Sequence, residues 1–289
     1  MINKRVGAYH KKVKPLPWYG GKSGFGKAEW IAGLLPWSRN STYIETHGGM
    51  GSVLCVRDPV CREIFNDLDR RVYNYHLQMR RHKDRFMWEV QYCPHSRDLH
   101  EWAMRAADDE KVDDFDRAVA FHVLALQSVA QRLDKPFWSL RTAPTCGNKT
   151  GRWRADRVEL VAERFWEVQL ENTDAVKLLD KVRGIGDAVI YVDPPYHTAD
   201  FTPYNTKKVE VDALTQALLC QSGKVGVSGY GNEWDHLGWQ RHELETFRTS
   251  KPNTISERRI EVLWTNYDAR VHGSAHQGKQ VNQGSLFSI

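Results

Sequence analysis

Apolar positions along the chain follow two rhythms. Short apolar or β-branched runs bounded by turn residues recur at 42–45, 63–65, 167–170, 188–192, 224–227 and 261–264, and each predicts a buried strand. Between them, 28–35 reads as an amphipathic helix stopped at Pro36, 53–56 as a helix after a glycine turn, and the residues up to about 78 as another helix. The first third is therefore a β-α-β-α unit, the seed of a parallel sheet. From 79 to 163 the strand rhythm stops; a long helical pattern covers 115–130 and a turn-rich stretch covers 133–154. Strand rhythm then resumes. The pattern predicts an α/β, Rossmann-like sheet built from 1–78 and 164–270, a mainly helical insert over 79–163, and a flexible tail over 271–289.

Composition narrows this picture modestly. With 289 residues, 41% hydrophobic and 27% charged, the chain has the make-up of an ordinary globular domain. A net charge of +5 suits a polyanionic partner without identifying one. The five cysteines, at 55, 61, 93, 146 and 220, are odd in number and form no C-x-x-C pair, which argues against a disulfide framework and against a zinc site. No metal is expected. The opening residues are basic and no apolar run approaches the roughly 20 residues of a membrane span, so a cytoplasmic protein with no membrane partner is expected.

Candidate chemistry centres on Asp193-Pro194-Pro195-Tyr196, directly after the apolar run 188–192. Ligands of open α/β sheets bind at the carboxyl ends of strands. An aromatic amine is a poor nucleophile because its lone pair is delocalised into the ring. Acceptors that hold its hydrogens draw the nitrogen toward tetrahedral geometry, and the Asp193 carboxylate and the Pro194 carbonyl suit that task. Two successive prolines make a rigid turn, Pro195 the second of them, and Tyr196 offers a ring on which a flipped base stacks.

Two further elements accompany it. Glu45-Thr46-His47-Gly48-Gly49-Met50-Gly51 is a glycine turn between strand and helix, where the lack of a β-carbon at Gly49 and Gly51 lets a nucleoside approach the backbone. Asp67 ends the next strand, where an acid hydrogen-bonds ribose hydroxyls in nucleotide-binding α/β folds. A competing reading comes from Gly21 to Lys27, which fits the phosphate-loop spacing G-x-x-x-x-G-K; it is weakened because Ala28 stands where a magnesium-binding Ser or Thr belongs.

Taken in order, Trp18-Tyr19-Gly20-Gly21-Lys22, the glycine turn, the acidic strand end, the insert and Asp193-Pro194-Pro195-Tyr196 resemble the Dam-like adenine-N(6) DNA methyltransferases, over roughly 15 to 267. The resemblance implies S-adenosylmethionine as cofactor, double-stranded DNA as partner, and methylation of the exocyclic amine of a flipped-out adenine at a specific site. It also implies that Trp18, Lys22, Glu45, His47, Gly49, Gly51, Asp67 and Asp193 line the cofactor or the reaction centre, and that Asp174 faces the cofactor's adenine ring. Thr46-His47 depart from the family's Pro-Phe, placing an imidazole where a phenyl ring is usual. The insert carries Arg132-Leu133-Asp134-Lys135-Pro136-Phe137-Trp138-Ser139 in place of the family's Asn-rich hairpin, so its target sequence is its own.

Arg132, Lys135, Arg141, Lys149, Arg152 and Arg154 cluster among Phe137, Trp138 and Trp153, which predicts a DNA-inserting hairpin from about 131 to 153. At the tail, Gln283, Leu286 and Phe287 resemble the peptide by which bacterial proteins dock on the replication sliding clamp. A bacterial or phage restriction-modification setting fits. Two alternatives stand beside this reading: methylation of the cytosine N(4) amine, and a non-catalytic DNA-binding protein of the same fold.

Overall fold

The computed structural model describes residues 13–17, 20–24, 26–128, 137–138, 155–195, 211–248 and 257–272. Along the chain lie α1 (Lys27–Leu34), β1 (Thr42–Glu45), α2 (Ser52–Val56), β2 (Arg62–Asn66), α3 (Arg70–Arg81), α4 (Lys83–Tyr92), α5 (Arg97–Ala106), α6 (Asp114–Gln127) and α7 (Ala155–Arg164). After these come β3 (Gln169–Glu171), α8 (Ala175–Val182), β4 (Ala188–Val192), α9 (Val211–Leu219), β5 (Lys224–Tyr230), β6 (Gln240–Arg248), β7 (Glu257–Thr265) and α10 (Ala269–His272).

The described strands form one seven-stranded sheet in the order β3-β2-β1-β4-β5-β7-β6. The first five pair in parallel, and β7 runs antiparallel to both β5 and β6. This is the doubly wound order 3-2-1-4-5 of Rossmann-like sheets, with an antiparallel pair at the edge. Central strands β1 and β4 are buried at every position, as expected where helices cover both faces. Alternation along β1 sends Tyr43 to one core and Ile44 to the other. The first core joins the sheet to α1, α2, α3 and α4–α7; the second joins it to α8 and α9.

Several boundaries differ from the sequence expectation. Strand β6 was not legible at all: Arg241, Glu243 and Glu245 alternate along it, exposed, because it is the sheet's edge and is guarded by charge. Helix α3 runs unbroken through position 79, and Met79 is fully buried in the first core alongside Phe86 and Phe121. The described helices of the expected insert thus share the sheet's core. Helix α6 ends at Gln127 rather than 130, because Ser128 turns to extended backbone and bridges antiparallel to Trp138. His95 stacks on Trp138 with ring centroids 4.4 Å apart, and His100 bonds the Ser128 hydroxyl across 3.0 Å. Phe137 beside them is 69% exposed. Among the described residues no helix is long and apolar enough to cross a membrane.

A buried ion network ties the helical layer to β2. The Arg164 guanidinium grips both oxygens of Glu63, at 2.5 and 2.8 Å, and its Nε donates to the Leu54 carbonyl at 3.1 Å. Arg57 joins from α2's end, 2.7 Å from Glu63 Oε1. Charges so deep are tolerable because every one has a charge-assisted partner.

Candidate active site

Parallel strands β2, β1 and β4 end side by side, and their following loops diverge. The connection after β1 leads to β2 on one side while β4 leads on to β5 on the other, which opens a crevice at the switch point. Pairing persists to the last residue, with the Thr46 amide donating to the Tyr191 carbonyl at 3.1 Å. Asp67 and Asp193 thus flank the glycine turn from neighbouring strands, two strand spacings or roughly 10 Å apart.

The turn after β1 is locked from below. Gly49 and Gly51 adopt φ of 52° and 72°, left-handed conformations that favour glycine. A β-carbon on Gly48 would stand 2.2 Å from the Phe65 ring, which is itself held edge-on by His76 and Phe165. The Gly49 amide donates to Asp67 Oδ2 at 2.8 Å, and the Asp69 amide donates to Asp67 Oδ1, also at 2.8 Å. Burial pushes the Asp67 carboxyl up to about 7, against the pull of those two donors. Burial also holds His76 neutral, down at about 4, so its Nε2–H donates to the Gly49 carbonyl at 3.0 Å.

Asn66 laces the strand ends together. Its side-chain amide donates to the carbonyls of Thr46 and Thr173, at 2.8 and 3.0 Å, and its oxygen accepts from the Thr173 amide at 2.9 Å. This brings the loop before α8 beside the glycine turn. Exposed Asp174 caps α8 by accepting from the Val176 and Lys177 amides, and its charge bears on His47, whose imidazole burial pulls down to about 4. His47 Nδ1 lies 2.9 Å from the Thr46 hydroxyl. Glu45 turns the other way: its carboxyl accepts from the Tyr43 hydroxyl at 2.7 Å inside the core, and burial pushes it up to about 7.

On the β4 side the structure builds a cluster of charges. Lys22, only 3% exposed, places its ammonium 2.6 Å from Asp193 Oδ1 and 3.3 Å from Glu261 Oε1. Lys27 reaches Glu261 Oε2 at 2.8 Å. Burial works against the Lys22 charge, but Asp193 and Glu261 outweigh it and hold the ammonium well above the usual lysine range. Asp193, at 17% exposure, is the end of the cluster that opens to the crevice, with Pro194 buried behind it. Lys27, the lysine a phosphate loop needs, is committed to Glu261 instead.

Of the expected site residues, the structure gathers Lys22, His47, Gly49, Gly51, Asp67, Asp174, Asp193, Pro194 and Pro195 at one edge of the sheet, and directs Glu45 into the core. Trp18, Tyr196, Arg132, Lys135, Arg141, Lys149, Arg152, Arg154, Gln283, Leu286 and Phe287 lie outside the described residues. Sequence reasoning missed Asn66 and His76, read Lys27 only as a phosphate-loop lysine, and gave no site role to Glu261. The last had a signal: an acid in the apolar run of β7 requires a buried cation. Among the described residues no three His, Cys, Asp or Glu side chains converge as a metal site.

The family model of the D12 class N6 adenine-specific DNA methyltransferases matches residues 18–236. The chain belongs to this family. As a D12 class methyltransferase it is an adenine-specific DNA methyltransferase, and the family implies S-adenosylmethionine as methyl donor and DNA as substrate. No curated protein matches the chain. Among solved structures it resembles precorrin 8w decarboxylase from Methanobacterium thermoautotrophicum, with 11% identity, 86% of this chain and 92% of that one covered, and a TM-score of 0.39. It also resembles the rRNA methyltransferase AviRa from Streptomyces viridochromogenes, with 14% identity, 86% and 85% covered, and a TM-score of 0.38.

Proposed function

We propose that this D12 class methyltransferase binds S-adenosylmethionine at the ends of β2 and β1, takes a flipped-out adenine at the end of β4, and methylates its exocyclic amine at a specific sequence in double-stranded DNA. The observation that carries the reading is Asp193: it is the partly open end of a buried charge cluster, at a strand terminus across the switch point from a glycine turn backed by Asp67.

The residues present fit the donor. A β-carbon at Gly48 or Gly51 would strike the Phe65 or Phe165 ring beneath, so glycine there lets the turn lie flat on the core, and the positive φ of Gly49 and Gly51 sets the backbone a nucleoside would meet. Asp67 would accept from ribose hydroxyls, and Asp174 with His47 would face the adenine ring of the cofactor. When bound, S-adenosylmethionine supplies an electrophilic methyl group on a cationic sulfur. Asp193 and the Pro194 carbonyl hold the hydrogens of the target amine, and the Asp193 carboxylate takes the proton that the amine gives up. Tyr196 stacks on the flipped base, whose extrusion costs a few kcal/mol in stacking and pairing. Orientation of amine and acceptors then supplies much of the rate.

On the DNA side, Arg132, Lys135, Arg141, Lys149, Arg152 and Arg154 would grip phosphates and base edges from a DNA-inserting segment over about 131 to 153. Isotope-labelled donor and plasmid DNA test the function: nucleosides released after reaction should contain labelled N(6)-methyldeoxyadenosine. Label in N(4)-methyldeoxycytidine, or in no nucleoside, would contradict it.

A further inference from the structure

We infer that Glu261 is a positioning residue for methyl transfer: from β7 it anchors the Lys22 ammonium, which in turn fixes the direction of the Asp193 carboxylate. The inference rests on the function proposed above, and it concerns a residue outside the stretch 18–236 that the family model matches.

Glu261 is fully buried and divides its two oxygens between two lysines, Oε1 at 3.3 Å from Lys22 and Oε2 at 2.8 Å from Lys27. Lys27 also donates to the hydroxyl of Tyr230 at 3.3 Å, and Tyr230 lies opposite Glu261 in the β5–β7 ladder. Lys22 itself belongs to a turn between 20 and 24, outside any helix or strand. A lysine is a point charge on a flexible stem with three donors, so a single partner leaves its position loose. Two carboxylates from two strands make that position a property of the sheet. With Lys22 in place at 2.6 Å from Oδ1, the plane of the Asp193 carboxylate is set relative to β4 and to the crevice.

Among the described residues the cluster sets Lys22 and Lys27 against Asp193 and Glu261. The groups facing Lys22 among the described residues include Asp193 beyond β4, Glu261 on β7, the Tyr191 phenol on β4 and, through the shared Glu261, Lys27 on α1. Without the Glu261 charge the two ammonium groups repel and burial counts more fully against Lys22, so its proton leaves at lower pH.

The test measures kcat and KM for DNA methylation, from neutral to alkaline pH, in wild type, Glu261→Gln and Glu261→Asp, with melting temperature and donor affinity as checks on folding. Glu261→Asp keeps the charge but withdraws it by one methylene, so it should fold and lose roughly tenfold or more in kcat with KM within about threefold. Glu261→Gln should lose more, and its alkaline limb should move to lower pH. If Glu261→Gln does not fold, Glu261→Asp decides alone. Wild-type kcat and pH profile in Glu261→Asp, or a loss confined to KM, overturns the inference while leaving the function standing. A wild-type protein that methylates no DNA overturns both.

Discussion

Replacing Asp193 by asparagine is expected to slow methyl transfer on the order of a hundredfold to a thousandfold, the scale of removing one preorganised polar group from a reaction centre. Asparagine keeps the size and the backbone but exchanges one acceptor oxygen for an NH2 donor, which repels the hydrogens of the target amine. It also removes the charge that faces Lys22 at 2.6 Å, leaving an ammonium that is 3% exposed to rely more on Glu261 at 3.3 Å. Donor affinity should stay within a few-fold, because the glycine turn and Asp67 belong to β1 and β2. Single-turnover rates with nucleoside analysis, beside calorimetric titration of the donor, separate the two effects. A rate within about threefold of wild type would show that Asp193 is not the acceptor.

The second large effect is on stability. Arg164→Ala removes three charge-assisted hydrogen bonds at once, two to Glu63 and one to the Leu54 carbonyl. It leaves Glu63, itself buried, with Arg57 alone. Arg57 still balances the Glu63 charge, but Glu63 Oε2 and the Leu54 carbonyl lose the donor that Arg164 gave them without regaining water, at about 1–3 kcal/mol each. Urea denaturation should record that loss. Arg164→Lys should fall between, since an ammonium keeps the charge but not the fork that spans both oxygens. A change under about 1 kcal/mol in Arg164→Ala would mean that water or a rearranged Arg57 replaces the network. Because β2 carries both Glu63 and the strand end leading to Asp67, the alanine variant should also bind the donor more weakly.

What the sequence reveals and what it hides follow from the range of the interactions. Strands β1 and β4 are legible because burial on both faces writes them as unbroken apolar runs, and Asp193 is legible because it follows one of those runs directly. Asp67 and the glycine turn are local features too. The partner of Asp193 is not local: Lys22 stands 171 positions away, and Glu261 is further still from Lys22. No window of sequence contains both halves of such a pair. Strand β6 is hidden for the opposite reason, since an edge strand guarded by charge has the composition of a loop. Asn66 and His76 act by bonding backbone carbonyls of the neighbouring strand end and turn, and backbone acceptors leave no mark on sequence. Glu45 shows the limit of transferring a motif position: the acid is there, but Tyr43 two residues earlier draws it into the core.

The most direct test of the central claim is a crystal structure of the protein with DNA and a non-reactive donor analogue in which an amine replaces the methyl sulfonium. The nucleoside is expected against the turn from Gly48 to Gly51, its ribose hydroxyls on Asp67, and the amine of an extruded adenine within about 2.6–3.2 Å of Asp193. An analogue bound elsewhere, or an adenine held on the side of the sheet edge away from Asp193, would contradict that claim.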